Sequence, residues 1–418
     1  MGRLLRIIRR PLYRLWRSRR WEVMALLQAV LIALLYWSWP PVTLTLVLPA
    51  EEVIYWTNII QQFEATHRRI RIRPIGLENP QGDITVNLKE LCTAGVGESL
   101  CDIVYLDVIW VPELAARGWL RDVSSRVAAA ELGAFVGSEV AAGRYSGGLY
   151  RIPFRADFGM LYYRADLLGA DDTVPQTFAE LLTQAQALQA QSGAQWGYLW
   201  QAQREGLIAT FVEVLQGHGG YWIDPEAQTV GLDQPGAIAA AQFLRQTIEL
   251  GISPPLDQAY GDAAAMAAFE SGEAVFMRHW PWLLGSAEAS PVGPQIKRVP
   301  MALHVPGEIG GGCKGSWGLG IARRSPHPRQ AWRAVQYLTS EATQQWFAQQ
   351  TSYIPSRQAL LNAPTMAAAE KAVLRPAIPN YAEASLILQR HLGQILRGQV
   401  DVATAMGAAA EETRQLLR

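Results

Sequence analysis

Apolar residues follow two different spacings along this 418-residue chain, and together they predict alternating strands and helices. Apolar and polar residues alternate in TLTLVL, which predicts a strand after Pro41, and IRIRPI predicts a second strand. Between these strands, Glu51 to Thr66 carries apolar side chains at helical spacing. The same order returns with the apolar run DIVYL at 102–106 and a helical pattern at 111–117. It predicts an α/β fold with a largely parallel sheet.

Helical spacing dominates the second half of the chain. One helix is predicted from Phe178 to Gln191, where Thr177 as the N-cap and Glu180 three residues later form a capping box. Further helical patterns occur at 206–215, 237–250, 262–269, 329–347 and 382–417, and the glycine-rich stretch 307–321 interrupts them once.

The first forty residues have a different character. Eight arginines within residues 1–20 precede an apolar segment from Trp21 to Trp39. A helix of this length measures roughly 28 Å, close to the hydrocarbon thickness of a bilayer. The positive flank predicts a cytoplasmic N-terminus and places everything after Pro40 outside the inner membrane. A cleaved signal peptide would look similar, but no small-x-small site follows the segment, so we expect an uncleaved anchor.

Length and charge limit which class of protein the chain after the anchor can belong to. About 375 residues exceed what one core usually supports, so two lobes are expected. The formal net charge is +0, and the basic head leaves the remainder mildly acidic. This balance argues against a nucleic-acid partner.

The chain has three cysteines, Cys92, Cys101 and Cys313, and six histidines. They form no metal-ligand spacing, so no metal is expected. Cys92 and Cys101 are close in sequence and face an oxidising compartment, where either a local disulfide or two free thiols are compatible with the sequence.

Several phrases, in order along the chain, resemble the extracellular solute-binding proteins of ATP-driven (ABC) sugar importers, and most closely the trehalose/maltose-binding branch. They include IYWTNIIQQFEATHRRIRI, CDIVYLDVIWVPELAARGWLRDV, GGLYRIPFRADFGMLYYRADLL, WGYLWQAQREGLIATFVEVLQGHGG, AVFMRHWPW, SWGLGIARRSPHPRQAWRAVQYL and LRPAIPNY. The resemblance covers nearly the whole external chain.

The resemblance implies two α/β lobes with a type II periplasmic-binding-protein fold, here preceded by one transmembrane helix. The expected hinges lie near Phe154, Val299 and Tyr353. The predicted division is a basic head at 1–20, an anchor at 21–39, a first lobe of 42–154 plus 299–353, and a second lobe of 155–298 plus 354–418.

A sugar presents hydroxyl groups at its rim and apolar faces above and below, so its receptor needs charged side chains and aromatic rings. The resemblance implies hydroxyl-binding positions at Glu52, Asp107, Asp157 and Arg375, stacking positions at Trp280, Trp282 and Trp317, and further candidates at Glu205 and Trp110.

Each of these residues also has a purely structural interpretation. Asp107 is placed to cap the helix that follows it, and Glu52 would favour the positive end of its own helix. Trp280 and Trp282 are compatible with core packing, and Arg375 with a surface ion pair. Only their convergence on one cleft favours ligand binding.

The sequence departs from the family pattern at three positions. Arg155 stands where close relatives often carry an aromatic residue, Arg204 where a tyrosine usually precedes Glu-Gly-Leu, and Ser316 where a glycine precedes Trp317. We therefore expect an oligosaccharide-like or polyol ligand without naming the sugar.

The function predicted from the sequence is that of a membrane-tethered substrate-binding component, monomeric and without a cofactor, that passes its ligand to ABC permease subunits. One alternative is a sugar sensor that reports to a partner membrane protein. Another is a glycoside hydrolase using Asp107 and Asp157, although no motif sets their separation and no G-x-S-x-G occurs.

Overall fold

The computed structural model describes residues 22, 24–31, 40–77, 101–169, 173–281 and 290–418. Residues 24–31 are helical, and the rest of the predicted anchor lies outside the described residues except for position 22. Within the described ranges, no helix has both the length and the apolar character that a bilayer crossing requires.

Two mixed sheets organise the chain into two α/β lobes. The first sheet has the spatial order β2 (Ile70–Leu77), β1 (Val42–Pro49), β3 (Ile103–Asp107), β13 (Trp317–Ile321) and β6 (Ile152–Arg155). Strand β1 is parallel to β2 and β3, whereas β13 is antiparallel to β3 and β6. The second sheet has the order β12 (Ile296–Pro300), β7 (Met160–Arg164), β11 (Ala274–His279) and β8 (Trp196–Leu199).

The prediction of a largely parallel sheet is wrong for the second lobe. There, β7 is antiparallel to β11 and β12, and only β11 and β8 are parallel. The chain enters and leaves this lobe by direct strand crossings rather than through βαβ units, which reverses the strand direction. Two short hairpins complete the strands: β4 (Arg144–Tyr145) with β5 (Gly148–Leu149), and β9 (Ile223–Asp224) with β10 (Thr229–Val230).

Helices cover both sheets. In chain order they are α1 (Val53–Thr66), α2 (Val111–Ala116), α3 (Ala129–Leu132), α4 (Gly137–Ala142), α5 (Phe178–Ser192), α6 (Arg204–Gly217), α7 (Pro235–Glu249), α8 (Asp262–Glu270), α9 (Pro328–Leu338), α10 (Glu341–Thr351), α11 (Ala363–Lys371), α12 (Tyr381–Leu396) and α13 (Val402–Leu416).

Local capping signals set several helix ends. The capping box of α5 is confirmed, because Thr177 accepts a hydrogen bond from the Glu180 N–H at 3.1 Å and Glu180 accepts one from the Thr177 N–H at 3.1 Å. The continuous pattern at 329–347 divides into α9 and α10 because Ser340 caps the second helix.

The tail also forms two helices rather than one. Gly398, with φ of 68°, ends the first helix, and Asp401 accepts a hydrogen bond from the Thr404 N–H at 3.0 Å to begin the next.

The core of the first lobe follows from the alternation in β1. Leu44, Leu46 and Leu48 are fully buried and pack with Trp56 and Phe63 of α1. Burying one such side chain stabilises a fold by roughly 1.5–3 kcal/mol. This packing fixes α1, and with it Glu52 just before the helix, at the end of the sheet.

The chain crosses between the sheets through three neighbouring segments. Residues 156–159 join β6 to β7, residues 301–316 join β12 to β13, and the segment after α10 forms the third crossing. Single bridges link them, Phe158 with Lys314 and Arg155 with Pro355. The predicted hinges at Phe154 and Val299 lie within β6 and β12, a few residues before these segments, and the lobe boundaries remain a prediction.

Gly159 in the first crossing leaves space for a buried ion pair. A Cβ at this position would lie 1.7 Å from Oε1 of Glu213. Glu213 in turn binds Arg278 of β11 through two hydrogen bonds of 2.6 and 2.9 Å, and both side chains are buried. The glycine is therefore required by close approach.

We expect Gly159→Ala to lower the free energy of unfolding by about 3 kcal/mol or more, because it overpacks the crossing and displaces a buried ion pair. Gly407→Ala is the matched control, since a Cβ at Gly407 meets no atom within 4 Å in α13. It should stabilise the protein by roughly 0.5–1 kcal/mol. Urea unfolding of both variants measures the difference, and equal midpoints would contradict this account.

Candidate ligand-binding site

Several predicted site residues lie at one end of the first sheet. Glu52 follows β1 in a short 3-10 turn, Asp107 ends β3 and Trp317 begins β13. The strand register pairs Asp107 with Trp317 and Trp317 with Arg155, so these three residues are adjacent across the sheet. The carboxyl ends of the strands are where ligands bind in open α/β sheets.

The second lobe brings its candidates to the same region. Trp280 directly follows β11, Glu205 lies in the first turn of α6, and Arg375 comes after the third crossing. A Cβ at Gly315 would lie 2.5 Å from the Trp280 ring, so Trp280 packs against the crossing that leads into Trp317. Trp280 therefore packs on the chain two residues before Trp317, where the second crossing enters β13.

Arg155 is buried between two carboxylates. Its Nη1 atom is 3.2 Å from Glu52 Oε1, and its Nε atom is 3.2 Å from Asp157 Oδ2. Neither nitrogen is aligned as a hydrogen-bond donor, so the attraction is mainly between the charges. The guanidinium also lies 4.0 Å from the ring centroid of Tyr353 and 5.1 Å from that of Trp317, within the range of cation–π interactions.

Burial raises the pKa values of the two carboxyl groups in this cluster. It raises the pKa of Asp157 to about 7, although Arg155 and the Ile354 N–H at 2.9 Å favour the carboxylate. Burial also raises the pKa of Glu52, against the attraction of Arg155 and a hydrogen bond from Trp56. One guanidinium neutralises only one carboxylate, so Asp157 is about half protonated near neutral pH.

Arg375 makes a second cluster that connects the lobes. Its Nη2 atom is 3.2 Å from Asp107 Oδ2, and its Nη1 atom is 3.0 Å from Glu205 Oε2. Glu205 also accepts hydrogen bonds from Tyr381, at 2.6 Å, and from Ser385. This arrangement joins the first sheet to α6 and α12.

The candidates differ in their access to a ligand. Glu52, Asp157 and Arg375 are 2–3% exposed. The side chains of Asp107 and Glu205 are 14% and 23% exposed, and Trp280 and Trp317 are half-buried. The second group is therefore accessible from the surface, whereas the first group is enclosed by the protein. Trp282 lies outside the described residues.

The other two departures from the family pattern, Ser316 and Arg204, directly precede Trp317 and Glu205 in the chain and differ in burial. Ser316 is buried and donates a hydrogen bond to Glu139 at 2.7 Å. Lys314 also binds Glu139, at 2.5 Å, and Arg151 lies 3.1 Å away. Burial tends to raise the pKa of Glu139, but these two cations outweigh it and hold the pKa below its ordinary value. Arg204 is exposed at the start of α6, with a positive φ of 50°.

Asp107 has its predicted structural role, because it accepts a hydrogen bond from the Ile109 N–H at 3.2 Å as an N-cap. It also binds Arg375, and its role in ligand binding stays a prediction. Trp110 is 4% exposed and packs edge-on against Tyr381 at 5.7 Å, as a core residue does.

Sequence reasoning missed two tyrosines in this region. Tyr353 stacks on Phe347 with ring centroids 5.8 Å apart and donates a hydrogen bond to Glu52 at 3.4 Å. Tyr105 is buried beside Trp317, with ring centroids 5.1 Å apart. Tyr105 sits in the apolar run DIVYL, where its pattern is that of an ordinary core residue.

Cysteine and metal chemistry add little to this site. Cys101 is disulfide-bonded, and Cys313 is free and buried. Cys92, the other member of the predicted pair, lies outside the described residues. In the part of the chain that the structure describes, no group of three or more histidine, cysteine or acidic side chains is placed to hold a metal ion.

Two surface cavities lie away from this region. One of about 570 Å³ is bordered by α3, Trp332 of α9 and Arg357, and one of about 520 Å³ lies between the ends of α7 and α12. Neither is lined by a predicted site residue.

Two lobes joined by three crossings, with aromatic and charged side chains gathered at the crossings, define a binding protein of the two-lobed periplasmic type. A profile of the bacterial extracellular solute-binding protein family matches residues 50–345, and the chain belongs to this family. Its members are solute-binding proteins rather than enzymes, and this chain is a solute-binding protein.

Two relatives illustrate the range of similarity. A probable ABC transporter-binding protein of Deinococcus radiodurans is 32% identical over 271 residues, covering 63% of this chain. A maltotriose-binding protein of Pyrococcus abyssi is 24% identical over 286 residues, covering 68% of this chain. The matches span 64% and 60% of the lengths of these relatives.

Solved structures agree in fold. Maltose-bound T. maritima MalE3 superposes with a TM-score of 0.81 at 29% identity, covering 90% of this chain and 100% of that one. The GacH receptor of Streptomyces glaucescens superposes with a TM-score of 0.79 at 21% identity, covering 90% of this chain and 98% of that one.

We expect Asp157→Asn to become more stable relative to the unmodified protein as the pH rises. The folded state keeps the Asp157 proton up to about pH 7, whereas an unfolded chain loses it near pH 4. The contribution of Asp157 is therefore most favourable at low pH, decreases between about pH 4 and pH 7 by roughly 1.4 kcal/mol per pH unit, and is level above.

Urea unfolding at pH 4.5, 6 and 7.5 measures this change. Asp257→Asn, at an exposed position on the second lobe, controls for the substitution itself. A difference between Asp157→Asn and the unmodified protein that stays constant across the three pH values would rule out the buried, protonated carboxyl.

Proposed function

We propose that this protein is the membrane-tethered substrate-binding component of an ABC importer, which captures an oligosaccharide or related polyol between its two lobes and delivers it to a permease. The lobes comprise 42–154 with 299–353, and 155–298 with 354–418. The observation that carries the proposal is the position of two half-buried tryptophans, since Trp280 packs against Gly315, two residues before Trp317. Trp317 pairs across the sheet with Asp107, and Arg375 joins the partly exposed carboxylates of Asp107 and Glu205.

This composition matches the two surfaces of a sugar. The indole rings of Trp280 and Trp317 offer flat apolar area for the C–H faces of a pyranose. The carboxylates of Asp107 and Glu205 accept hydrogen bonds from hydroxyl groups, and a hydrogen bond to a charged group contributes about 1.5–3 kcal/mol. Of the two acids that a glycoside hydrolase would need here, Asp157 is paired with Arg155 and Asp107 with Arg375.

The comparisons support a carbohydrate ligand. The T. maritima protein is described with maltose bound, and the relative from Pyrococcus abyssi is a maltotriose-binding protein. The Deinococcus relative is named as a binding protein of an ABC transporter, which supports a permease partner.

Binding by population shift follows from the position of the residues. A ligand that touches Trp317 of the first lobe and Trp280 of the second gains both contacts only when the lobes close, so it favours the closed form. Arg375 already connects Asp107 with Glu205 across the lobes, which limits how far the lobes separate at this point.

We expect Trp317→Ala and Trp280→Ala each to weaken sugar binding by about tenfold or more, because aromatic side chains at the centre of an interface dominate its binding energy. Trp332→Ala is the matched control, as a half-buried tryptophan on α9 away from the crossings. Calorimetry of the full chain in detergent against mono-, di- and trisaccharides, polyols and charged solutes measures the affinities. The absence of binding to the whole panel would refute the proposal, and turnover of a disaccharide would support a hydrolase instead.

The proposed membrane anchor is based on the sequence before the first strand. Eight arginines precede the apolar segment 21–39, and only Pro40 and Pro41 separate this segment from β1. This order favours a single crossing with the binding lobes on the periplasmic or extracellular side.

We expect the full chain to remain in the membrane fraction after alkaline extraction, and a chain lacking residues 1–39 to be released. Retention of the full chain is the result of an uncleaved apolar anchor, because such a helix is not displaced by high pH. Recovery of permease subunits with the full chain would extend the proposal to delivery. Release of the full chain, or a mature N-terminus near residue 40, would contradict the anchor.

A further inference from the structure

A second surface, at the opposite end of the first sheet, is strongly basic. Strand β1 spans eight residues, so this end lies roughly 26 Å from Glu52, at about 3.3 Å per residue. The surface, called here the basic edge, comprises Arg68, Arg69, Arg71, Arg121, Arg323, Arg324 and Arg329.

Strand topology explains why residues so far apart in sequence share this edge. Arg68 and Arg69 form the turn before β2, and the Arg69 carbonyl accepts a hydrogen bond from the Val42 N–H at 2.9 Å. Because β13 is antiparallel to β3, its last residues reach the same edge, and Arg323 and Arg324 follow directly. Arg121 joins them by donating a hydrogen bond to the Arg323 carbonyl at 2.7 Å.

Few acids lie among the described residues of the basic edge. Within the described residues that flank the edge, the acids are Glu64, Asp102 and Asp122. Glu64 lies 3.4 Å from Arg71, and buried Asp102 accepts a hydrogen bond from the Thr45 N–H at 2.9 Å. Asp122 accepts one from the Ser124 N–H at 2.8 Å. Arg68, Arg323 and Arg324 are exposed, and none of these three described acids forms an ion pair with them.

The chain enters the fold at this edge. Val42, the first residue of β1, hydrogen-bonds with the Arg69 turn, and only Pro40 and Pro41 separate it from the apolar segment. Two prolines in extended form span about 6 Å, less than the roughly 8 Å over which salt screens charges at physiological ionic strength. An anchored chain therefore keeps the basic edge within electrostatic reach of the headgroups.

We propose that the basic edge contacts anionic phospholipid headgroups at the outer surface of the membrane. Arginine suits this partner because its planar guanidinium binds phosphate oxygens through two hydrogen bonds. The contact orients the lobe so that the site at the other end of the sheet stays clear of the lipid. This inference rests on the anchor proposed above and is independent of the identity of the sugar.

Arginine footprinting tests the contact. The full chain is placed in lipid nanodiscs of phosphatidylcholine alone or with about one third phosphatidylglycerol, and phenylglyoxal labelling is followed by mass spectrometry. We expect Arg68, Arg323 and Arg324 to react about fivefold more slowly in the anionic discs, the factor that corresponds to about 1 kcal/mol per arginine near an anionic surface. The protection should disappear at 1 M salt, where the screening length is about 3 Å.

Two controls separate lipid binding from other causes. Arg390 and Arg418, exposed on the second lobe, should label equally in both discs. Inorganic phosphate added to the neutral discs should give no protection, since protection there would indicate a free-anion site instead. R323Q/R324Q should remove the protection of Arg68, whereas R390Q/R418Q should retain it.

The possible results test the lipid contact of the basic edge separately from the proposed anchor. Equal labelling of Arg68, Arg323 and Arg324 in both discs, with the chain stably held in each, overturns the basic edge and leaves the anchor intact. Association only with anionic discs supports the basic edge and overturns the anchor. Association with neither disc overturns both, while calorimetry of sugar binding is unaffected by any of these results.

Discussion

A charged side chain can be buried at low cost only beside an opposite charge, and this constraint shapes the region where the two lobes meet. Arg155 and Arg375 are both buried, and each lies between two carboxylates from distant parts of the chain. Removing one member of such a cluster leaves an uncompensated charge, which costs several kcal/mol. The ends of β1 and β6 are therefore held together by charge as well as by packing, and the end of β3 is held in the same way to Arg375 of the other lobe.

The charged and the aromatic side chains of this region have different roles. The buried carboxylates of Glu52 and Asp157 are occupied by Arg155, so they set the shape of the region without being free for a guest. The partly exposed side chains, led by Trp280 and Trp317, are the ones that we propose to contact the ligand. A substitution of Arg155 is thus expected to act on the architecture first and on binding through it.

Local signals in the sequence were sufficient for much of the fold. The capping box of α5 and the strand β1 were predicted from residues a few positions apart, and both are present, although both faces of β1 are buried. The division at Ser340 was also encoded locally, but continued helical spacing on both sides concealed it. The mixed direction of the second sheet was not accessible, because strand direction depends on which crossing brings the chain back.

The candidate site shows the same limit. Family resemblance suggested Asp107 and Arg375 separately, but only the structure shows that they form one cluster with Glu205. Arg155 was noticed as a departure, and its contacts with Glu52 and Tyr353 span about 100 and 200 residues of sequence, beyond any periodic pattern. Ser316 has a structural reason of its own, since its hydroxyl group completes the environment of Glu139.

The thiol of Cys313 can report on the opening of this region. The thiol is free and buried in the second crossing, where the Cys313 N–H donates a hydrogen bond to Glu213 at 2.8 Å, and burial raises its pKa to about 12. While the crossings remain packed, a thiol reagent cannot reach the sulfur of Cys313, and very little of the thiol is in the reactive thiolate form. The rate at which the Cys313 thiol becomes alkylated therefore reports how often the contacts between the crossings open, and no engineered cysteine is needed.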